Sequence, residues 1–309
     1  MITLHNNDCL KIYKNIKNSS IDLILCDPPY GTIQNLKLNW RKKIDWDIQI
    51  DIDDFFLMAN HLLRQNGKMI VFGQEPFTSK LIQNTKYNIE FNYRLIWQKN
   101  HFANSWMAKK APLNLFEDII VFTKKYDTLY DHPLRLYSKK IHIFINKNIK
   151  DINKILGHRK AEHFFYHNTM QFGLCTKEVY QELINVFKIN IMPDFISYDD
   201  CYKINKKYKS KYKSTYNLPA DKKYKSNIFR YNKDKKNMHP TQKPVLLLQD
   251  LICTYSNPND LVLDNCMGSG STGIAAMNTK RNFIGIEKDT EIFEMAEQRL
   301  YDHQQQLNL

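Results

Sequence analysis

Short, nearly continuous apolar runs alternate along this chain with stretches whose apolar positions recur every three or four residues. Ile21–Cys26, Lys68–Gly73, Phe91–Gln98, Asp118–Thr123, Asp260–Asp264 and Phe283–Ile286 are runs of strand length, which fits strands covered on both faces. Thr3-Leu4 adds a shorter apolar piece, and Asp8-Cys9-Leu10 opens a stretch with helical spacing at Leu10, Tyr13 and Ile16. Phe55–Leu63 repeats at helical spacing and meets the stop signal Asn66-Gly67. Further helices are predicted over Phe77–Gln83, Val245–Tyr255, Ile274–Asn278 and about Glu291–Gln304. Strands alternating with helices predict an α/β layered domain with a mixed, mostly parallel sheet.

The alternation stops near residue 130 and returns at 239. Between them, Thr176 is a fitting N-cap for a helix to Phe187, and a shorter helix, Ile152–Leu156, ends at Gly157 before His158-Arg159-Lys160. These pieces read equally as a helix-turn-helix with a basic edge or as a packing module. The expected organisation is therefore an α/β domain from 1–130 and 237–309, with 131–236 as a partly helical insertion.

Charge sharpens that division. The 309 residues carry a formal net charge of +13, and residues 201–236 hold thirteen Lys or Arg against two acids, with six tyrosines interleaved. Basic side chains neutralise phosphates and aromatic rings stack on bases, so a nucleic-acid contact is favoured over a solvated loop. The candidate contacts are Arg159, Lys160, Lys206, Lys207, Lys209, Lys211, Lys213, Lys222 and Lys223. Six scattered cysteines without a C-x-x-C pair, and histidines without metal spacing, point to neither a zinc site nor a disulfide framework. With no eighteen-residue apolar run and no signal-peptide pattern, a cytoplasmic protein without a membrane partner is expected.

Two stretches carry chemistry. Asp27-Pro28-Pro29-Tyr30 closes the Ile21–Cys26 run. Neither proline offers an N–H, and both fix backbone torsions, so a carboxylate and two carbonyls form a stiff acceptor cluster beside an aromatic ring. The stretch reads either as a plain proline turn or as a seat for a planar group bearing an amine. A long polar and aromatic loop follows, to about Asp54. The second stretch runs from Asp264 through Gly268-Ser269-Gly270-Ser271-Thr272-Gly273 to Glu287. Strand, acid, glycine loop, helix, strand and acid form a βαβ nucleotide-binding unit. It lacks G-K-[ST], and Asp264 would repel a pyrophosphate but pair with an ammonium. Glu287 sits at the spacing for ribose. A ligand with an ammonium, a ribose and no phosphate describes S-adenosylmethionine better than NAD.

In this order the motifs resemble the β class of amino-methylating DNA methyltransferases. Asp27–Tyr30 corresponds to its catalytic D-P-P-Y, the basic middle to its target-recognition region, and Asp264–Gly273 to its cofactor loop. His239–Pro244 is similar to its H-P-T-Q-K-P segment, Gly285-Ile286-Glu287 to its acidic strand end, and Asn7–Leu10 to its N-terminal D-C-L segment. The departure is Asn265-Cys266-Met267, where the family more often has proline and phenylalanine.

The resemblance implies a Rossmann-like fold and methyl transfer from S-adenosylmethionine, with S-adenosylhomocysteine as product, no metal, and double-stranded DNA as substrate. It implies that Asp264, Gly268, Ser269, Gly270 and Thr272 hold the methionine and sugar, Glu287 the ribose, and Asp8 with Cys9 the adenine edge. Thr241 and Lys243 would approach the cofactor carboxylate. A flipped adenine would stack on Tyr30 while Asp27 and the Pro28 carbonyl, braced by Pro29, hold its N6 amine. Cytosine N4 is the nearest alternative; Ser is more often the cytosine form at the Asp27 position. A structured-RNA methyltransferase and an inactive DNA-binding module are the others. A cognate restriction endonuclease and a homodimer stay open as partners.

Overall fold

The computed structural model describes residues 1–31, 48–84, 86–103, 108–126, 132–169, 171–234 and 242–307, apart from the side chains of Ala103 and Lys211. Within them the chain divides into two compact units: Met1–Lys125 with Ser214–Leu309, and Tyr126–Lys213.

The first unit contains β1 (Ile2–Asn6), α1 (Cys9–Ile12), β2 (Ile21–Cys26), α2 (Ile52–Leu62), β3 (Leu63–Gly73), α3 (Phe77–Gln83), β4 (Ile89–Ala103) and β5 (Asn114–Lys124). The second unit follows with α4 (Leu134–Ile145), α5 (Ile149–Leu156), α6 (Glu162–Phe165), α7 (Lys177–Phe187) and α8 (Tyr198–Lys211). The chain then completes the first unit with β6 (Ile228–Arg230), α9 (Val245–Tyr255), β7 (Leu261–Asp264), α10 (Ser271–Asn278), β8 (Asn282–Glu287) and α11 (Thr290–Leu307).

Among the described residues the seven apolar runs pair, together with β6, into one sheet of eight strands in the order β1-β8-β7-β2-β3-β5-β4-β6. Every pairing is parallel except the two made by β5. The unbroken apolar character of the strands has a direct cause. Leu23, Leu25, Ile70, Phe72, Ile119 and Val121 pack on one face with α9, α10 and α11. Their neighbours Ile24, Cys26, Met69, Val71, Ile120 and Phe122 pack on the other with α2 and α3. Alternate residues point to opposite faces, and both faces are covered. At Gly273 a Cβ would stand 2.7 Å from a Leu300 methyl, so this glycine lets α10 lie close against α11.

The second unit has its own core, including Ile141, Ile152, Phe164, Tyr180 and Leu183. The Tyr137 and Tyr180 hydroxyls lie 2.7 Å apart, and Tyr180 donates to the Ile196 carbonyl at 2.7 Å, so both buried rings are satisfied. Thr176 caps α7 by accepting from the Val179 amide, as its place before the helix suggested.

The expected 131–236 insertion differs from what is found. Residues 201–211 belong to α8, and the second unit ends at Lys213. The remainder joins the sheet unit because Ile228–Arg230 extends it as a parallel edge strand on β4. Asn217 ties the same stretch to α9, donating to the Cys253 and Ser256 carbonyls at 3.0 Å. The strands β3, β4 and β5 also begin earlier than their apolar runs, reaching into polar residues.

Candidate active site

Parallel strands collect their carboxyl ends on one edge of a sheet, where open α/β folds bind ligands. Here that edge receives Asp27 after β2, Asp264 at the end of β7 and Glu287 at the end of β8. Because β5 runs the other way, its early residue Glu117 arrives at the same edge, in register with Trp97 of β4.

Asp27 is held on both oxygens. The Tyr30 hydroxyl donates to Oδ1 and the Lys243 ammonium to Oδ2. Tyr30 stacks on Phe77 of α3 with ring centroids 5.3 Å apart and planes 27° apart, which fixes its orientation. Burial pushes the Asp27 carboxyl up, opposed chiefly by the positive charge of Lys243. Burial also raises the Tyr30 phenol, with the Asp27 charge adding to it, so that hydroxyl stays a donor. Burial pushes the Lys243 ammonium down, but the Asp27 and Glu117 carboxylates outweigh that and raise it above its ordinary range, so it stays charged. Its ammonium is 3.2 Å from Glu117 and 5.1 Å from the centre of the Phe72 ring.

The glycine loop is built around two acids. Thr272 donates to Asp264 at 2.6 Å, and the Cys266 amide at 3.1 Å. Burial nevertheless pushes the Asp264 carboxyl up to about 7, with the charges of Asp27 and Glu287 adding to it. Glu287 accepts from the amides of Gly268 and Asp289, each at 2.9 Å, and so ties the loop to β8. Gly268 holds φ +49°, and a Cβ there would meet nothing within 4 Å, so the loop backbone faces open space. Arg299 of α11 braces the loop from below, donating to the Ser269 carbonyl at 2.8 Å and the Ser271 hydroxyl at 3.0 Å.

Asp8 caps α1, accepting from the Leu10 amide at 3.0 Å, with the Lys288 ammonium 3.3 Å away. Cys9 is buried beside it, 3.7 Å from the Asn265 side-chain amide. Asn265 is itself buried, and its Oδ1 has no hydrogen-bond partner. An orphaned acceptor, an acid raised toward neutrality and an open glycine backbone suit a cationic ligand with hydrogen-bond donors.

Asp8, Cys9, Asp27, Tyr30, Lys243, Asp264, the glycine loop and Glu287 all lie in the sheet unit, Asp27, Asp264 and Glu287 at the carboxyl ends of its parallel strands. Lys243 is the surprise: it grips Asp27 and Glu117 rather than standing free for a ligand carboxylate. Thr241 and the Lys211 side chain lie outside the described residues. Lys206, Lys207 and Lys209 are exposed on α8, and Lys160 and Lys213 are exposed elsewhere in the second unit. Arg159 is exposed too but pairs with Glu162 at 2.9 Å. Lys222, 3.5 Å from Asp221, and Lys223 belong to the sheet unit instead. The residues absent from the expected set are Lys99, Glu117, Phe77, Asn265 and Arg299. For Glu117 the available signal was an acid pair, Glu117-Asp118, opening an apolar strand. Among the described residues no group of three His, Cys, Asp or Glu is placed to hold a metal ion, and no helix is long and apolar enough to cross a membrane.

A glycine-loop α/β fold with an acceptor-rich, acidic sheet edge is a class of site suited to a nucleotide-derived ligand. Residues 21–298 match the DNA methylase family of amino-methylating (N6/N4) enzymes, and the chain belongs to that family. It is 25% identical to the Type II methyltransferase M2.MboI of Moraxella bovis, over 97% of this chain and 87% of that protein. It is also 25% identical to the DNA adenine methyltransferase YhdJ of Escherichia coli K12, over 96% of this chain and 82% of that protein. Among solved structures, the M1.HpyAVI–SAM complex superposes with a TM-score of 0.54 at 21% identity, covering 97% of this chain and all of the other. That last likeness speaks for the fold.

Proposed function

We propose that this chain transfers a methyl group from S-adenosylmethionine to the N6 amine of adenine in double-stranded DNA. The observation that carries the reading is the Asp27 carboxylate, followed directly by the Pro28 carbonyl, one strand away from Asp264 and the glycine loop. The names of the Escherichia coli relative and of the M1.HpyAVI complex support the base and the cofactor.

The cofactor supplies an electrophilic methyl group when bound. Asp264 suits its ammonium, because a carboxyl raised to about 7 becomes a stable anion once a cation pairs with it. Glu287 spends one acceptor site of each oxygen on a loop amide and keeps others for ribose hydroxyls. Asp8 and Cys9 border the adenine end. Gly268, Ser269, Gly270 and Thr272 form the loop against the methionine, and Thr241 enters this set through the family resemblance alone.

An adenine inside a duplex is out of reach, so the base must be extruded, at about a few kcal/mol. Stacking on Tyr30 returns about 1–3 kcal/mol. The N6 lone pair is delocalised into the ring and makes the amine a poor nucleophile. Asp27 and the Pro28 carbonyl accept its two hydrogens, favour a tetrahedral nitrogen and stabilise the positive charge that develops there. Pro29 holds the two acceptors still. No covalent enzyme intermediate is needed, and neither Cys26 nor Cys266 need be a nucleophile: both thiols are pushed well up, Cys26 chiefly by burial and Cys266 chiefly by its hydrogen bond with Cys9.

The second unit binds the duplex. Lys206, Lys207 and Lys209 on α8, with Arg159, Lys160, Lys211 and Lys213, neutralise phosphates, and Lys222 and Lys223, in the sheet unit, are phosphate contacts of the same kind. A cognate restriction endonuclease, self-association and a cytoplasmic location belong to the proposal as expectations. Incubating duplex DNA with the protein and methyl-labelled cofactor, then digesting to nucleosides, tests the reaction. Label in N6-methyladenine is expected; label in N4-methylcytosine overturns the choice of base, and no label overturns the reaction.

A further inference from the structure

Four charged side chains form a row of alternating sign that ends at the catalytic acceptor. The Lys99 ammonium pairs with Glu117 Oε1, Glu117 Oε2 lies 3.2 Å from the Lys243 ammonium, and Lys243 pairs with Asp27. Side-chain exposure is 5% at Lys99, 11% at Glu117, 8% at Lys243 and 26% at Asp27, so the row opens to solvent at its catalytic end. Taking charges out of water carries a penalty of several kcal/mol per ion, and well-packed apolar residues are commonly as stable or more so. Stability alone therefore does not account for four of them at a ligand-binding edge.

Resting on the methyl-transfer reading above, we propose that Glu117 is a positioning residue for Asp27. It divides the Lys243 ammonium with Asp27, leaving the Asp27 carboxylate a strong acceptor for the target amine. Lys99 on β4 neutralises the far oxygen and fixes Glu117 in its cross-strand place. If Lys243 paired with Asp27 alone, its full charge would fall on that carboxylate and weaken its hydrogen bonds to the amine.

Electrostatics agrees with the geometry. Burial is the main influence raising the Asp27 carboxyl; Lys243 lowers it and the Glu117 charge raises it. The other groups facing Asp27 are Tyr30, Cys26 and Asp264. Those facing Glu117 are Asp118, His101 and Lys233. Removing the Glu117 charge while keeping its shape would let Asp27 titrate at lower pH, and Lys243, losing one of its two anions, would also titrate lower.

The test compares wild type with Glu117→Gln and Glu117→Asp in single-turnover methyl transfer to duplex DNA across pH, together with calorimetric cofactor binding. Glu117→Gln is expected to slow transfer at least about tenfold, leave cofactor affinity unchanged, and move both limbs of the pH profile to lower pH. Glu117→Asp keeps the charge and restores the wild-type limbs. A slower Glu117→Gln enzyme with unmoved limbs, or one with wild-type rate, overturns the proposal. Carbon NMR titration of the Asp27 carboxyl in wild type and Glu117→Gln reads the same coupling without substrate. Should wild type transfer no methyl group, the functional reading fails, whereas an unmoved Asp27 titration fails the positioning role itself. If Glu117→Gln does not fold, Lys99→Gln is expected to move the Asp27 titration through Glu117, and an unmoved titration there overturns the proposal.

Discussion

Lys243 and Lys206 carry the same ammonium group in opposite surroundings. Lys243 is buried at the sheet edge between two carboxylates and an aromatic face. Lys206 stands exposed on α8 among other basic residues. A charge out of water acts strongly on its neighbours and tolerates no loss of partner, whereas a solvated charge acts weakly and is screened by salt. The sheet edge therefore suits chemistry, which needs a few groups held in fixed geometry. The helical unit suits phosphate neutralisation, which needs many interchangeable ones.

This contrast can be broken or sharpened by mutation. The largest effect is expected at Lys243→Met, which leaves the half-buried Asp27 and the buried Glu117 without their shared cation. Loss of one partner of a buried pair costs about 3–5 kcal/mol, to be read in chemical denaturation. Tyr30→Ala should come next, lowering retention of the extruded base by about 1–3 kcal/mol. It is measured by 2-aminopurine fluorescence at the target position, and an unchanged signal would speak against stacking.

Asp264 gives a pH signature. Its folded-state carboxyl titrates at about 7, above the ordinary carboxylate range, so the folded state holds the extra proton and stability falls as pH rises from about 4 to 7. A cationic cofactor pairs with the ionised form, so affinity should drop about tenfold between pH 8 and pH 6. Asp264→Asn should bind more weakly and lose that dependence; an unchanged profile in calorimetry would remove Asp264 from the cofactor site. The smallest effect on folding is expected from Lys206, Lys207 and Lys209 changed together to Ala, within about 0.5 kcal/mol per site. Their signature is instead a shallower salt dependence of duplex binding, by about 0.9 for each phosphate left without its lysine. An unaltered slope would take α8 off the DNA.

What could be read in advance followed from locality. The apolar runs, the Asp27–Tyr30 turn and the glycine loop each express their physics within about ten residues, so periodicity and turn chemistry reveal them. Ile228–Arg230 is different. Three residues after a basic stretch carry no periodic signal, and their strand character comes from pairing with β4, far away in sequence. Glu117 escaped for the same reason, because an acid at the start of a strand gains meaning only when Lys99 and Lys243 arrive beside it. Lys243 was legible as a candidate but not in its partner. Its charge suited a ligand carboxylate as well as it suited Asp27, and only the fold distinguishes them.

In the proposed reaction Asp27 serves the transfer step rather than cofactor binding or folding. Single-turnover methyl transfer by Asp27→Ala, alongside calorimetric titration with S-adenosylmethionine, tests it most directly. Retained cofactor binding is expected, with methyl transfer to adenine reduced by at least about 10²-fold. Wild-type transfer by that variant would contradict it.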